Sequence, residues 1–139
     1  MKTLKENDNY IIRLFKEEPV LASLAQFCKE HEIGSGCFTG IGAVKETRLG
    51  FYDLENKKYL EKTFQEEAEL LNLTGNLSWF EDQPIVHAHA IMGDRNFQCF
   101  GGHLFEAKTA VTIEIYLSPR ETKIHRLPDC EIGLNLLNL

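Results

Sequence analysis

The sequence lacks any long apolar run. A membrane-spanning helix requires roughly 18 or more consecutive apolar residues, and no stretch of the chain approaches that length. The first ten residues, MKTLKENDNY, also lack the apolar core of a secretory signal. We therefore expect a cytoplasmic protein that has no membrane partner.

Cysteine is scarce, and its spacing shows no pairing motif. The four cysteines are Cys28, Cys37, Cys99 and Cys130, and no two of them form a CxxC pair. Isolated cysteines of this kind are typical of reduced, buried thiols in a cytosolic protein. The spacing therefore gives no support for a disulfide.

Basic charge is also sparse. The chain carries 15 Lys and Arg residues against 21 Asp and Glu residues, which gives a net charge of −6 and a pI near 5.4. Nucleic-acid-binding proteins usually present a basic face, so this balance argues mildly against one. The one visible basic cluster is too small to indicate more than a solvated face; it consists of Arg120, Lys123, His125 and Arg126.

No internal repeat, low-complexity tract or linker interrupts the sequence. The length of 139 residues suits one domain with a substantial core, so we predict a single domain over residues 1–139. Hydrophobic residues make up 43% and charged residues 26% of the chain, which is typical of a globular protein.

The sequence does contain a succession of short β-rich segments. We predict strands at residues 10–16, 34–42, 44–52, 59–65, 69–80 and 109–117. The glycine-rich segment 34–42 fits no phosphate-loop motif, so a strand is preferred there. Glu17, Glu18 and Pro19 should open a helix that ends near His31, because proline and acidic residues favour a helix N-terminus.

Together with the hairpin described next, these segments give seven or eight strands with short connections. The predicted fold class is α+β: a mainly antiparallel sheet of about seven strands with one or two flanking helices. The apolar tail, with Leu134, Leu136 and Leu137, and the large sheet leave surface that one copy would cover poorly. We therefore expect the protein to form an oligomer.

Three of the five histidines lie within residues 84–104, PIVHAHAIMGDRNFQCFGGHL. This segment predicts two strands joined by a tight turn at residues 93–96. His87 and His89 are two residues apart, so both side chains point to the same face of their strand.

The register of this hairpin decides whether His103 joins them. With a turn at residues 93–96, His103 falls one residue out of phase and points to the wrong face. One extra residue in the returning strand would bring His103 opposite His87. Gly101 and Gly102 could supply such a bulge, because glycine accepts the positive φ that a bulge often needs. We therefore predict a bulge at these glycines and a convergent cluster of three histidines.

Three neutral imidazoles on a rigid sheet suit Zn²⁺, with a fourth position left for water or a ligand. Nickel, copper or iron could use the same ligands. The predicted metal ligands are thus His87, His89 and His103, and the predicted cofactor is a divalent metal with zinc as the first choice. The alternative interpretation is that these histidines are ordinary polar strand residues satisfied by their neighbours.

Several segments resemble, in the same order, the plants-and-prokaryotes-conserved (PPC) domain family. They are GIGAV at 40–44, ELLNLTGN at 69–76, PIVHAHA at 84–90, GGHL at 101–104 and TAVTIEI at 109–115. The combination of HxHA and GGHL is the most specific part of the resemblance. The segment from Arg126 through Gly133 and Leu134 is also similar to the ending of that family.

The resemblance implies a mainly antiparallel sheet with flanking helices, assembled as a homotrimer. Prokaryotic members are often a lone domain labelled as DNA-binding, and plant members join the domain to AT-hooks that bind AT-rich DNA. Some prokaryotic members look like metal proteins, and their histidine ligands match His87, His89 and His103.

The chain departs from the plant members in two places. It contains no Arg-Gly-Arg-Pro core of an AT-hook. Residues 66–71, EEAELL, replace the Gly-Arg-Phe-Glu-Ile-Leu segment of plant members, so basic and aromatic positions are acidic and small here. A DNA-binding role therefore depends on family analogy alone.

The sequence favours a metal-binding domain with a regulatory or DNA-associated role over an enzyme, and it identifies no catalytic residue. The alternative is a hydrolase-like metal enzyme acting on a small molecule, because zinc with an open position can turn bound water into a nucleophile. Hydrolysis would also need a carboxylate as general base. The candidates are Glu69, Glu106 and Glu114, of which Glu114 is expected to face solvent.

Overall fold

The structure is a computed structural model that describes residues 1–139, and it contains one helix and nine strands. The elements in chain order are β1 (Lys2–Glu6), β2 (Asn9–Phe15), α1 (Val20–Glu30), β3 (Ser35–Asp53), β4 (Lys58–Phe64), β5 (Ala68–Phe80), β6 (Gln83–Gly93), β7 (Cys99–Arg120), β8 (Arg126–Asp129) and β9 (Leu134–Leu137). At 11 residues, α1 is not long enough to cross a membrane.

Seven of the strands form one antiparallel sheet, as the sequence predicts. Their order is β1-β2-β7-β6-β5-β3-β4, and β7 also pairs with β3. This extra pairing closes a ring, because β3 pairs with β5, β5 with β6, and β6 with β7. The remaining strands, β8 and β9, form a separate two-stranded sheet. The α+β fold class is confirmed.

The core is one cluster of buried side chains shared by the helix and the sheet. Val20, Leu24 and Phe27 of α1 are buried where the helix packs against β6 and β7. Ala88 and Ala90 of β6 are buried in the same cluster. Since side chains alternate along a strand, the HAHA sequence puts its alanines in the core and its imidazoles on the outer face.

In two places, two strands that were predicted separately form one long strand in the structure, namely β3 and β7. Segments 34–42 and 44–52 are both part of β3, and segment 109–117 continues the strand that begins at Cys99. Within β3, the register to the neighbouring strands shifts near Gly42, between the two predicted segments, and again between Lys45 and Leu49. Irregularities of this kind bend a strand without ending it. Strand β1 was not predicted, because its residues are all exposed and show no alternation.

The helix ends as predicted and begins slightly later. His31 is its C-cap, whereas Pro19 is the N-cap residue and not the first helical residue. The expected acidic first turn is absent, because Glu17 and Glu18 lie before the helix. There Glu17 forms an ion pair with Lys45, and Glu18 accepts a hydrogen bond from the N-terminal ammonium group.

Candidate metal centre

The hairpin of β6 and β7 brings the histidines together through a register that differs from the predicted one. Gly93 pairs with Cys99, Met92 with Phe100 and His89 with His103, with no irregularity between them. The predicted bulge at Gly101 and Gly102 is therefore wrong. His103 lies opposite His89, whereas a bulge would have placed it opposite His87.

The reason is a longer loop. Residues 94–98 connect the strands, where a turn at 93–96 was expected. Oδ1 of Asp94 accepts hydrogen bonds from the backbone N–H groups of Asn96 and Gln98, at 2.8 and 2.9 Å. Met92 pairs with Phe100, whereas a turn at residues 93–96 would pair it with Phe97, so the register is shifted by three residues. Because this shift is odd, it moves His103 to the outer face without a bulge.

The three imidazoles form a compact cluster. Their ring centroids are 5.3 Å apart for His87 and His89, 5.1 Å for His87 and His103, and 5.4 Å for His89 and His103. One nitrogen from each ring lies within 4.8 Å of the other two. The cluster therefore has the composition and the proximity that a three-histidine metal site requires.

His103 is held between aromatic rings. Tyr59 stacks on it with ring centroids 5.0 Å apart, and Phe105 meets it edge-on at 4.8 Å. Gly50 lies opposite His103 on β3, and a Cβ atom there would come within 2.5 Å of Phe105 and 2.8 Å of Tyr59. Glycine at this position thus leaves room for the aromatic residues that orient the imidazole.

The buried Nδ1 atom of His103 has no hydrogen-bond partner. A buried polar atom without a partner costs free energy, so a native structure usually supplies one. A metal ion is one partner that would satisfy an imidazole nitrogen in this position.

Burial and positive neighbours keep two of the imidazoles neutral. Burial, followed by the charges of Arg126 and His89, lowers the pKa of His87. Burial lowers the pKa of His103 to about 4, and His87, His89 and Arg126 contribute to the same shift. Both rings are therefore neutral at pH 7, and a neutral imidazole is the form that binds a metal ion.

Arg126 reaches this site from β8, which forms the C-terminal hairpin together with β9. Its Nε donates to Ser78 Oγ at 2.8 Å, its Nη2 to Asn76 Oδ1 at 3.0 Å, and its Nη1 to the carbonyl oxygen of Asn135 at 2.8 Å. Asn76 lies opposite His87 on β5, so these bonds hold the guanidinium beside the histidines.

The predicted basic cluster is accordingly dispersed. Arg126 is half-buried at the histidine site, and Lys123 forms an ion pair with Asp82 and lies over the ring of Trp79. Arg120 and His125 are exposed.

Two cavities adjoin the histidines. One of about 220 Å³ lies between the histidine face and β9, and it is lined by Tyr59, Phe80, Ile85, Val86, His87, His103, Arg126, Leu134, Asn135 and Leu136. The other, of about 370 Å³, is lined by Cys37, Thr74, Gly75, Asn76, His87 and His89. Neither lining contains an acidic residue.

The structure does not bring the candidate general bases to this site. Glu106 forms an ion pair with Arg48, and Glu114 is exposed, as expected. Glu69 lies opposite Gly93, at the far end of β6 from His87. None of the three lines either cavity beside the histidines.

Sequence reasoning missed the residues that surround the histidines. Asn76 and Thr74 had a usable signal, because they alternate with buried leucines on the strand that faces β6. Arg126, Tyr59 and Phe105 had none. They reach the site through long-range strand pairing and a hairpin whose position cannot be derived from local periodicity.

Comparisons with known proteins agree with this description. The family model described as the Plants and Prokaryotes Conserved (PCC) domain matches residues 1–119. No curated protein matches the chain.

Several solved structures share both sequence and fold with the chain, and three of them are described here. A presumed DNA-binding protein from Bacteroides thetaiotaomicron is 33% identical, with a TM-score of 0.94 over 99% of this chain and 96% of that one. A presumed DNA-binding protein from Ralstonia eutropha is 34% identical, with a TM-score of 0.93 and the same coverage. A metal-containing protein from Archaeoglobus fulgidus is 29% identical, with a TM-score of 0.87 over 99% of this chain and 96% of that one. The protein therefore belongs to the Plants and Prokaryotes Conserved (PCC) domain family, which is the family, abbreviated PPC above, whose histidine motifs its sequence resembles.

Proposed function

We propose that this PCC-domain protein binds one divalent metal ion, with zinc as the first choice, through His87, His89 and His103. The observation that carries the proposal is the convergence of three imidazoles, each with a nitrogen within 4.8 Å of the other two. The unpartnered Nδ1 of His103 supports it, because an ion would remove the cost of that buried atom. The metal-containing relative from Archaeoglobus fulgidus adds support from the family.

Zinc suits this donor set, because it binds three histidine nitrogens and leaves a fourth position open. A bound ion would supply Lewis acidity at that position. The chain's own residues would hold the ligands in place, since Tyr59 and Phe105 pack against His103. No carboxylate lines the adjoining cavities to act as a general base. We therefore prefer binding over hydrolysis as the function.

The test is the metal content of protein purified without a histidine tag. We expect about one metal ion per chain in the wild type and almost none in His89→Ala. His89 is exposed, so its removal should cost little packing. His125→Ala is the matched control, because it removes an exposed histidine that lies outside the cluster. Equal metal content in His89→Ala and the wild type would rule out the cluster as the ligand set.

The identity of the ion needs a separate measurement. After removal of metal with a chelator, the protein would be equilibrated with equal amounts of zinc, nickel and cobalt. We expect zinc to be retained in excess over the other two in the wild type and in His125→Ala. Retention of another ion in excess would refute the choice of zinc and leave the ligand set in place.

A DNA-associated regulatory role is the second candidate, because two relatives are described as presumed DNA-binding proteins. The acidic net charge and the dispersed basic residues offer little surface for DNA. Binding to duplex DNA should be measured at several salt concentrations, since phosphate contacts weaken steeply as salt rises. Tight binding at physiological salt would support the role, and its absence would leave metal binding as the function.

We also propose that the protein assembles as a homotrimer. Large apolar side chains on the surface support self-association, and three of them surround one groove of about 430 Å³. They are Leu71, Phe97 and Val111, which are 48%, 93% and 67% exposed. Exposed apolar side chains that lie together on a surface can mark a site of protein–protein contact.

A further inference from the structure

Arg126 is a half-buried cation that no carboxylate neutralises. It takes part in none of the six ion pairs of the chain. Its hydrogen bonds all go to neutral acceptors, namely Ser78, Asn76 and the backbone of Asn135. A charge that is withdrawn from water without an opposite charge costs free energy, so a position of this kind favours the arrival of an anion.

The guanidinium group still has donors to offer. It carries five N–H bonds, and the three hydrogen bonds use Nε–H, one N–H of Nη1 and one N–H of Nη2. One N–H therefore remains on each terminal nitrogen. All the N–H bonds of a guanidinium group lie in one plane, and this planar set of charged donors suits the oxygens of a carboxylate. Because Ser78 and Asn76 fix this plane, little side-chain freedom would be lost on binding.

Arg126 and two of the histidines line the same cavity. Arg126, His87 and His103 line the cavity of about 220 Å³, and none of its ten lining residues is acidic. A divalent ion held by three neutral imidazoles would keep both of its positive charges, and Arg126 would add a third. The proposed metal site thus creates a concentration of positive charge that the protein itself does not neutralise.

The rest of the cavity indicates the kind of anion. Six of its ten lining residues are hydrophobic, and Leu134 and Leu136 of β9 are among them. Inorganic phosphate would leave these walls without contacts, whereas an organic acid would cover them with its substituent. The volume lies below the roughly 300–1,000 Å³ of pockets that bind drug-sized ligands. The ligand should therefore be small.

We propose that this site binds the carboxylate of a small organic acid between the metal ion and Arg126, with the apolar part of the acid against Leu134 and Leu136. The inference rests on the proposed metal function and deepens it, because it assigns a ligand class to the position that the histidines leave open. It also gives the C-terminal hairpin a role, since β8 supplies the cation and β9 supplies part of the apolar wall.

The test uses full-length protein loaded with Co²⁺, whose visible absorption responds to a change in the ligands of the ion. The cobalt content is measured first. The spectrum is then titrated with isobutyrate, acetate, inorganic phosphate and isobutyramide, which is the neutral analogue of isobutyrate. We expect isobutyrate to change the spectrum at the lowest concentration, acetate to bind more weakly, and isobutyramide to have no effect.

Variants separate the role of Arg126 from that of the ion. Arg126→Gln should raise the Kd for isobutyrate about tenfold or more, because a charged hydrogen-bonding partner is lost. Arg126→Lys keeps the charge without the fork of donors, so its Kd should lie between those of the wild type and Arg126→Gln. Arg13→Gln, at an exposed position of β2, is the control and should bind like the wild type. Cobalt content should be the same in all four proteins.

The possible results discriminate among the ideas. Equal responses to isobutyrate and isobutyramide in the wild type would overturn the proposal, even if Arg126→Gln failed to fold. A preference for phosphate over isobutyrate, or an unchanged Kd in folded Arg126→Gln, would also overturn it. If the wild type bound no cobalt here, or no zinc in the metal-content measurement described above, the proposed metal function would be refuted. This inference would then be refuted with it.

Discussion

At the scale of single residues, Cys28 differs from the other three cysteines. All four thiols are free, but only Cys28 is buried, on the core side of α1. The sequence predicted buried thiols in general, and this is wrong for Cys37, Cys99 and Cys130, which are exposed. Burial raises the pKa of Cys28 to about 12, because its thiolate would have to form in an apolar environment.

This difference predicts selective labelling. The thiolate is the nucleophile, so a raised pKa and lack of access both slow the reaction of Cys28 with a maleimide at pH 7.5. We expect Cys28 to remain unmodified in the native protein and to react in urea, as peptide mass spectrometry would show. Cys28→Ser should leave the native labelling pattern of the other cysteines unchanged. Native modification of Cys28 at the rate of Cys130 would contradict the expectation.

At the scale of elements, the loop at residues 94–98 sets the register of the hairpin that carries the histidines. A single carboxylate oxygen of Asp94 accepts two backbone hydrogen bonds in this loop. Asp94→Ala should therefore lower the free energy of unfolding by about 1–2 kcal/mol, because both N–H groups lose a charged acceptor. Urea unfolding followed by circular dichroism would measure the loss.

Two matched variants make this prediction specific. Asp94→Asn keeps an acceptor oxygen, so it should cost less than Asp94→Ala. Asp8→Ala changes an exposed aspartate in the β1–β2 turn and should have almost no effect. If Asp8→Ala and Asp94→Ala were equally stable, the side chain of Asp94 would not determine the loop.

The sequence predicted those features that depend on alternation within one segment. The outer face of His87 and His89 and the end of α1 near His31 both follow from local periodicity. The loop length did not follow, because it depends on where Asp94 directs its side chain. The predicted loop was too short, and the bulge was added to the prediction to bring His103 to the outer face. The three histidines were therefore predicted to converge, but with the wrong strand register.

The surroundings of the histidines lay beyond local reasoning for a different reason. Arg126 is 39 positions from His87 in the sequence (126 − 87), and only the packing of the β8–β9 hairpin brings it to the site. In the sequence it looked like part of an exposed basic cluster. Its role depends on neutral acceptors on β5, which no pattern around residue 126 could indicate.

At the scale of the whole molecule, the acidic charge is unevenly distributed and is absent from the cavities beside the histidines. The chain has an excess of six acidic residues, yet the cavities beside the histidines contain none. An acidic exterior disfavours close approach to DNA phosphates, while a cationic cavity favours a small anion. The charge distribution thus supports recognition of a small ligand more strongly than recognition of nucleic acid.

Assembly is the remaining property of the whole molecule, and the groove around Val111 makes it testable. If Leu71, Phe97 and Val111 contact another copy of the chain, a charge at Val111 would have to be buried without a partner and should dissociate the assembly. We expect native mass spectrometry to give three times 15.9 kDa for the wild type and a single chain for Val111→Glu. Leu54→Glu is the control, because Leu54 is 59% exposed in the β3–β4 turn and does not line the groove. A trimer in both variants would place the contact on another surface, whereas a wild-type monomer would refute the assembly itself.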